Sequence, residues 1–506
     1  MNLAAVPAPL TLAAIDMGSN SFRLEIARLE GNQYKRQQYL KETVRLGGGL
    51  DADGTLSEEA IQRGLACLAR FAAALQGFSP EQVRAVATQT LREARNRDDF
   101  LARAEKALGF PIEVISGREE ARLIFAGVAR LQPSEATRLV IDIGGRSTEM
   151  ILGRGRKPLK AESFQIGSVS LSMRFFPNGE FTPEAFRAAQ IAAGAELEEA
   201  FKQFSKQHSK PAWTEALGSS GTVGAVSQLL AGSGITDGTV TTEALRWCIE
   251  QCLAAGHMDK LDLPGLKEDR RAVVAGGLCI LYTLLTQFGI ESLKPAKGAL
   301  RQGVVFDLAE RINPGVRATL DLREQSVRML QQRFLIDTAQ AKRVQAQAQA
   351  FYRQLQPQAT PELRRELGWA AALHEIGMMV SHHDHHRHSA YLLSHVDAAG
   401  FSQNQLQRLG DLALGQRGGL RKLQDQLQAD ENLLWQLLAL RLAVVQCHAR
   451  GPVQLDALSL QRSERRLRIE TKPGWLLANP LADYLLRGEV DAWSRSKLLT
   501  VDFRTD

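Results

Sequence analysis

Cysteine is scarce and unpatterned. Five cysteines, Cys67, Cys248, Cys252, Cys279 and Cys447, stand in 506 residues with no Cys-x-x-Cys spacing. That argues against a disulfide framework and a cysteine metal site, and makes a reducing cytoplasm the expected compartment. A peripheral place at the inner membrane stays open. Cys248 and Cys252 lie one helical turn apart and are expected to be packing residues. Aromatic residues make up only 6% of the chain and do not interleave with basic ones, so base stacking, and with it a nucleic-acid partner, is not expected. No apolar run reaches the roughly 18 residues of a membrane crossing. The longest, Ala272 to Leu285, contains paired glycines and reads as a buried core helix, so no transmembrane segment is expected. Met1 to Ala14 is apolar but has no basic start, unlike a secretory leader. Low-complexity linkers are also missing, which implies closely packed domains.

What is present suits a large soluble protein with an anionic ligand. The 44% hydrophobic content can fill several cores over this length. A net charge of +6 and a pI near 9.1 favour a polyanion without naming one. Basic clusters at Lys202 to Lys210, Arg417 to Lys422 and Arg462 to Lys472 read first as solvated faces.

One pattern occurs twice, 126 positions apart: Ala14-Ile15-Asp16-Met17-Gly18-Ser19-Asn20-Ser21 and Val140-Ile141-Asp142-Ile143-Gly144-Gly145-Arg146-Ser147. Each copy is a β-prone run ending in aspartate, a small-residue turn, and a second β-prone run, Phe22 to Leu29 or Thr148 to Leu152. Glycine lets backbone approach a ligand, serine adds a hydroxyl, and successive N–H groups in a tight turn make an anion site. The aspartate would repel a bare phosphate, so its expected task is to hold a hard cation bridging to one. Two copies in one register imply a duplicated domain whose turns face each other across a cleft.

Residues 11 to 303 alternate strand and helix patterns, with strands expected at Val83 to Thr88, Pro111 to Ile115, Arg138 to Asp142 and Thr214 to Leu217. From Val304 to Arg450 the pattern is helical, with Asn313-Pro314-Gly315 as an early breaker. The end regains β-type alternation at Leu467 to Glu470 and around Trp475.

Several residues suit chemistry. Ser116 and Glu119 have capping-box spacing, whereas Glu120 falls on the apolar face with Leu123, Ile124, Gly127 and Val128. A carboxylate there is either paired or has a raised pKa, as a general base needs, and the two readings stay open at this point. Gly218-Ser219-Ser220-Gly221-Thr222 is a third loop before a helix, able to offer N–H groups to a phosphate. Arg92, just past a strand end, is a candidate phosphate clamp, while Arg95 and Arg97 read as exposed helix charges. His374, Glu375, His382, His383, His385, His386 and His388 invite a metal reading, against a plainer one of a polar helix start.

The two Asp-x-Gly turns, the Gly117 to Leu123 segment and the Gly218 to Thr222 loop, in this order, resemble the exopolyphosphatase/guanosine pentaphosphate phosphatase family over nearly the whole chain. The resemblance implies an α/β fold of two actin-like (ribonuclease H-like) domains, 1–125 and 126–303. An all-helical HD-like domain, 304–450, and a small α+β domain, 451–506, would follow. It implies phosphate binding by Asp16, Gly18, Ser19, Asn20, Ser21, Arg92, Gly144, Gly145, Ser147 and Thr148, with Gly218, Ser219, Ser220 and Gly221 beside them. Glu120 becomes the catalytic base, and Asp142 and Glu149 become the ligands of Mg2+, with Asp16 as a third candidate. A monovalent cation such as K+ is a second possible cofactor. Arg146 departs from the pattern, standing where the family usually has glycine, and would either crowd the phosphate or add a positive contact. His374-Glu375 replaces the His-Asp pair of HD enzymes, so this domain is expected to support a homodimer and guide an anionic chain rather than run a second metal reaction. The leading expectation is processive hydrolysis of inorganic polyphosphate. The alternatives are hydrolysis of guanosine pentaphosphate, a kinase of the same superfamily, and a polyphosphate sensor without turnover.

Overall fold

The computed structural model describes residues 9–31, 33–204, 212–312 and 321–504. They form two compact units, Met1–Thr319 and Leu320–Asp506. The first contains two five-stranded sheets of one plan. One runs through β1 (Leu10–Met17), β2 (Phe22–Glu30), β3 (Gln33–Glu42), β4 (Val83–Ala87) and β5 (Ile112–Val114), in the order β3-β2-β1-β4-β5. The other runs through β6 (Thr137–Ile143), β7 (Thr148–Arg154), β8 (Lys157–Phe164), β9 (Glu215–Gly218) and β10 (Lys294–Pro295), in the order β10-β9-β6-β7-β8. In both, the first three strands form an antiparallel meander and the fourth lies parallel to the first. The duplication extends to an irregularity: the ladder shifts between Ile26 and Ala27 in one sheet and between Leu152 and Gly153 in the other, the same positions in the repeat.

Two helices hold this pair of sheets together. Gly117–Leu131 follows β5 and Leu300–Ile312 follows β10. Glycines line their crossing: a Cβ on Gly127 would sit 2.3 Å from the Ala299 carbonyl oxygen, and one on Gly303 only 1.8 Å from that of Leu123. Buried charges lock the same seam. Asp307 accepts from Arg84 at 2.7 Å, Arg122 at 2.6 Å and Arg311 at 2.8 Å, and Arg122 also pairs with Glu119 at 2.7 Å. Val304, Val305 and Leu308 are buried with Val86 and Val128 in one core. The change of composition near Gly303 therefore falls inside a helix of the first unit, and the helical domain starts later than the expected 304. Its breaker, Asn313-Pro314-Gly315, lies outside the described residues.

Glu268–Phe288 is a helix of 21 residues, long and apolar enough to cross a membrane by length and composition, so the run counted from sequence was too short. It is nevertheless a core helix. Leu278, Cys279, Leu281 and Leu284 pack with Cys248 and Cys252 against the second sheet. All five cysteines are free and buried.

In the second unit the helices Leu322–Arg333, Thr338–Leu355, Pro361–Leu373, His385–His395, Gln403–Gly415 and Glu431–Gln446 bury stripes spaced three and four apart, such as Ala341, Val344, Ala348, Phe351 and Leu355. A sheet of β11 (Leu458–Ser463), β12 (Arg466–Thr471) and β13 (Thr500–Arg504) joins them. Leu460, Ile469 and Trp493 share a core with Trp435 and Tyr352, so the small α+β tail does not have a core of its own. Around Trp475 the expected strand is instead one helical turn, Trp475–Ala478, entered through Gly474 at φ 72°. The alternation there is too short to recruit a partner strand.

Candidate active site

The site grows from the two turns. The carbonyl of Ser19 accepts from the Gly47 N–H at 2.8 Å and that of Asn20 from Arg45 at 2.9 Å. In the second copy Gly144 accepts from Ser168, and Gly145 from Val169, both at 2.9 Å. A trans peptide points its N–H opposite its carbonyl, so tying these carbonyls back turns the N–H groups of Asn20, Ser21, Gly145 and Arg146 the other way. The turns meet: a Cβ on Gly145 would lie 3.4 Å from that of Ser19. Ser21 Oγ is buried and lacks a hydrogen-bond partner.

Between the turns lies a cavity of about 340 Å3. Of the residues expected from sequence, Asp16, Gly18, Ser19, Asn20, Ser21, Glu120, Asp142, Gly144, Gly145, Ser147, Ser219, Ser220 and Gly221 line it. Arg92 reaches it only through Glu120, pairing at 2.9 Å while also donating to the Ile115 carbonyl. It is therefore a carboxylate partner rather than an open phosphate clamp. Arg146 neither crowds the cavity nor adds charge to it, because its guanidinium turns away to Glu93 at 2.7 Å. Thr148 is fully buried and donates to the Ile166 carbonyl at 2.6 Å. Gly218 also stays outside; a Cβ there would meet Val223 at 2.4 Å, which makes it a packing residue.

The two halves differ in charge. Across the first hairpin Asp16 faces Arg23, whereas across the second Asp142 faces Glu149. Asp16 pairs with Arg23 at 3.2 Å and Arg301 at 3.4 Å. On the other side three carboxylates crowd together. Burial, then the Glu120 charge, pushes Asp142 up to about 7. Glu149, which accepts from Ser163 Oγ at 2.8 Å, is raised well above the carboxylate range by burial and then by Glu120 and Asp142. Burial raises Glu120 too, against the pull of Arg92. Such oxygens suit a hard cation, which would relieve their repulsion. Among the described residues no three His, Cys, Asp or Glu form a ready-made cage.

Arg23, Lys41, Arg270 and Arg301 line the cavity and were not picked out from sequence. Burial lowers both Lys41 and Arg270, and neighbouring cations, Arg270 for the lysine and Arg23 for the arginine, lower them further. This basic group is preorganised for an anion. Arg23 had a signal in the repeat, since it occupies the place of Glu149. The other three come from a strand edge and two helix starts with no local signature.

Among the described residues the histidine cluster does not gather three metal-ligating side chains into one group. His374 is buried, hydrogen-bonds the Ala371 carbonyl at 2.7 Å and is pushed down to about 4 by burial. Glu375 pairs with Arg450. His385 and His386 are buried and likewise held down to about 4, with burial as the main cause. His382 is exposed and precedes the helix that carries His386, so their spacing of four residues does not put them on one helix face.

Paired actin-like sheets whose two glycine-serine turns meet over a carboxylate floor define a class of phosphoryl-handling proteins. The chain belongs to the Ppx/GppA phosphatase family: the family model matches residues 30–312, and that of the Ppx/GppA phosphatase domain III matches 322–490. A guanosine-5'-triphosphate,3'-diphosphate pyrophosphatase of Photobacterium profundum is 36% identical over 480 residues, covering 94% of this chain and 95% of that protein. The protein of the same name from Vibrio cholerae is 36% identical over 481 residues, covering 94% and 95%. A crystal structure of an exopolyphosphatase from Cytophaga hutchinsonii is similar with a TM-score of 0.53 at 25% identity, over 60% of this chain and 98% of that one. The PPX-GPPA enzyme of Aquifex aeolicus has a TM-score of 0.50 at 26% identity, over 60% and 100%. The expected α/β fold with two actin-like domains, a helical region and an α+β end stands.

Proposed function

We propose that the chain is a guanosine pentaphosphate phosphohydrolase, converting guanosine 5'-triphosphate 3'-diphosphate and water to the 5'-diphosphate form and orthophosphate. The observation that carries this is the 36% identity, along 94% of the chain, to proteins named for that nucleotide. Polyphosphate, the leading expectation from sequence, becomes the second reading, supported by the more distant exopolyphosphatase structure at 25% identity. The basic cluster of the tail, Arg462 to Lys472, lends polyphosphate little support. Arg462, Arg468 and Lys472 are paired with Glu431, Asp502 and Asp456.

In this reading the terminal phosphoryl group sits between Gly18–Ser21 and Gly144–Ser147, where the turn N–H groups bind its oxygens. Arg23, Lys41 and Arg270 bind the remaining phosphates. Glu120 takes a proton from a water attacking in line, the water oxygen bonds to the terminal phosphorus, and the bridging P–O bond breaks toward the nucleotide. Phosphoryl transfer gains most from such positioning and charge neutralisation. Arg92 orients Glu120, while burial keeps the carboxylate basic enough for the task. Asp142 and Glu149 would hold Mg2+, which when bound supplies positive charge to the phosphate oxygens.

The test is phosphate release by purified protein with Mg2+, comparing guanosine pentaphosphate with long-chain polyphosphate. We expect kcat/KM at least about tenfold higher for the nucleotide, a difference near 1.4 kcal/mol in transition-state binding. A preference for polyphosphate would reverse the assignment.

The cation site predicts a pH dependence. In protein free of divalent ions, Asp142 keeps its proton up to about 7, whereas its unfolded value lies near 3.8. Between these values the folded state binds more protons than the unfolded one, so stability falls as pH rises, by about 2 kcal/mol in this half-open cleft. Mg2+ should therefore raise Tm more at pH 8 than at pH 5. Asp142→Asn should flatten the apo profile and remove the Mg2+ increment. An increment equal at both pH values, or retained in the variant, would place the cation elsewhere.

A further inference from the structure

Glu25 is fully buried in the middle of β2. Four hydrogen bonds converge on its carboxylate: from Tyr34 Oη, from Arg301 Nε at 3.2 Å, and from Gln302 Nε2 at 2.8 Å to each oxygen. The sheet does not require an acid here. In the repeat, Glu25 pairs across from Ala14 as Ile151 pairs across from Val140, and Ile151 is an ordinary fully buried core residue. A buried ion pair is no more stabilising than apolar residues of similar volume, so stability alone gives no reason for the substitution.

The partner explains it. Arg301 lines the cavity, and its guanidinium is fixed by Glu25 through Nε, by Asp16 Oδ2 at 3.4 Å through Nη1, and by the Tyr39 ring 5.2 Å away. Among the described residues its Nη2 has no hydrogen-bond partner. A guanidinium held at two nitrogens, with a third unengaged and on a residue that lines the cleft, is arranged to donate to an incoming oxyanion. We propose that Arg301 is a phosphate ligand of the substrate and that Glu25 is the positioning residue that holds it, with Tyr34 and Gln302 fixing Glu25 in turn. This rests on the reading of the cleft as a phosphohydrolase site.

The experiment measures KM and kcat for guanosine pentaphosphate, together with calorimetric binding of inorganic tripolyphosphate with Mg2+, for Arg301→Gln, Glu25→Gln and the double variant. Arg301→Gln should raise KM and the tripolyphosphate Kd about tenfold, with kcat within about threefold. Glu25→Gln should raise both by about fivefold alone and by less than about twofold on the Arg301→Gln background, because it acts only through that arginine. Tyr34→Phe, which removes one donor from the same carboxylate, should follow this pattern at about twofold and stands in if Glu25→Gln does not fold. Wild-type tripolyphosphate affinity in Arg301→Gln, or equal effects of the Glu25 or Tyr34 change on both backgrounds, would overturn the proposal. If wild type ignores guanosine pentaphosphate but binds tripolyphosphate through Arg301, the nucleotide reading fails while this assignment stands.

Discussion

Replacing Glu120 by glutamine should lower kcat about 1000-fold while moving KM less than about threefold, because a general base contributes to the transition state more than to binding. The variant should fold with a Tm equal to or above wild type. In wild type the charged carboxylate is largely removed from water, and burial raises its pKa even with Arg92 at 2.9 Å. Glutamine keeps the shape and spares that cost, and Arg92 retains the Ile115 carbonyl and Gln89 as partners. The adjacent Glu119 is the control. Its carboxylate belongs to the ion network of Arg122, Arg84 and Asp307. Glu119→Gln should therefore cost about 3 kcal/mol in stability, by leaving buried guanidinium groups short of charge, yet spare most of kcat. The two neighbours also differ in pH response. The acid limb of kcat/KM should lie above the ordinary glutamate range, with activity rising as Glu120 loses its proton. That limb should persist in Glu119→Gln and disappear from the residual activity of Glu120→Gln. A Glu120→Gln enzyme within tenfold of wild type would remove Glu120 from the chemistry.

The contrast between these two acids shows what the sequence could and could not carry. Helical spacing placed Glu120 on the apolar face, and it does line the cleft. Spacing also gave Glu119 to the helix cap, where its N–H indeed bonds Ser116 Oγ at 3.2 Å. Its carboxylate, however, answers to Arg84, 35 positions away, and through Arg122 is tied to Asp307, 188 positions away, which no local pattern reveals. The same holds for Lys41, Arg270 and Arg301, which only the closed fold brings to one cavity. Edge strand β3, Gln33–Glu42, is mostly exposed, so no alternation marked it, whereas the apolar runs of β1, β4, β6 and β9 were plain. The repeat was the strongest signal, and it held more than was taken from it: continued two residues past each serine it pairs Arg23 with Glu149, the exchange that separates the basic half of the cleft from the acidic one. Arg146 shows the converse. A motif position suggested a contact with phosphate, but Glu93 lies close enough to take the guanidinium away.

Gly303→Ala should be the most damaging single-methyl change in the first unit. The added Cβ would sit 1.8 Å from the Leu123 carbonyl oxygen and 2.6 Å from its carbon, both backbone atoms that no rotamer change can move. Relief requires the helices Gly117–Leu131 and Leu300–Ile312 to separate, which strains the packing of Val304, Val305 and Val128 and stretches the ion pairs on Asp307. Overpacking of this kind costs about 3 kcal/mol or more. Gly303→Val should leave little soluble protein. Helix propensity alone points the other way, since alanine is favoured over glycine inside a helix by about 1 kcal/mol. Gly224→Ala isolates that term, because its Cβ would meet nothing within 4 Å, and it should be neutral or stabilising. Urea unfolding of the two variants separates propensity from crossing distance, and a Gly303→Ala midpoint equal to wild type would show that the helices do not cross this closely. The consequence reaches the chemistry because one helix carries Glu120 and the other Arg301. Gly303→Ala should therefore lower kcat and raise KM together at temperatures where the protein is still folded, unlike Glu120→Gln, which acts on kcat, and Arg301→Gln, which acts on KM. The glycine crossing then sets the distance between the water-activating carboxylate and the cation side of the cleft.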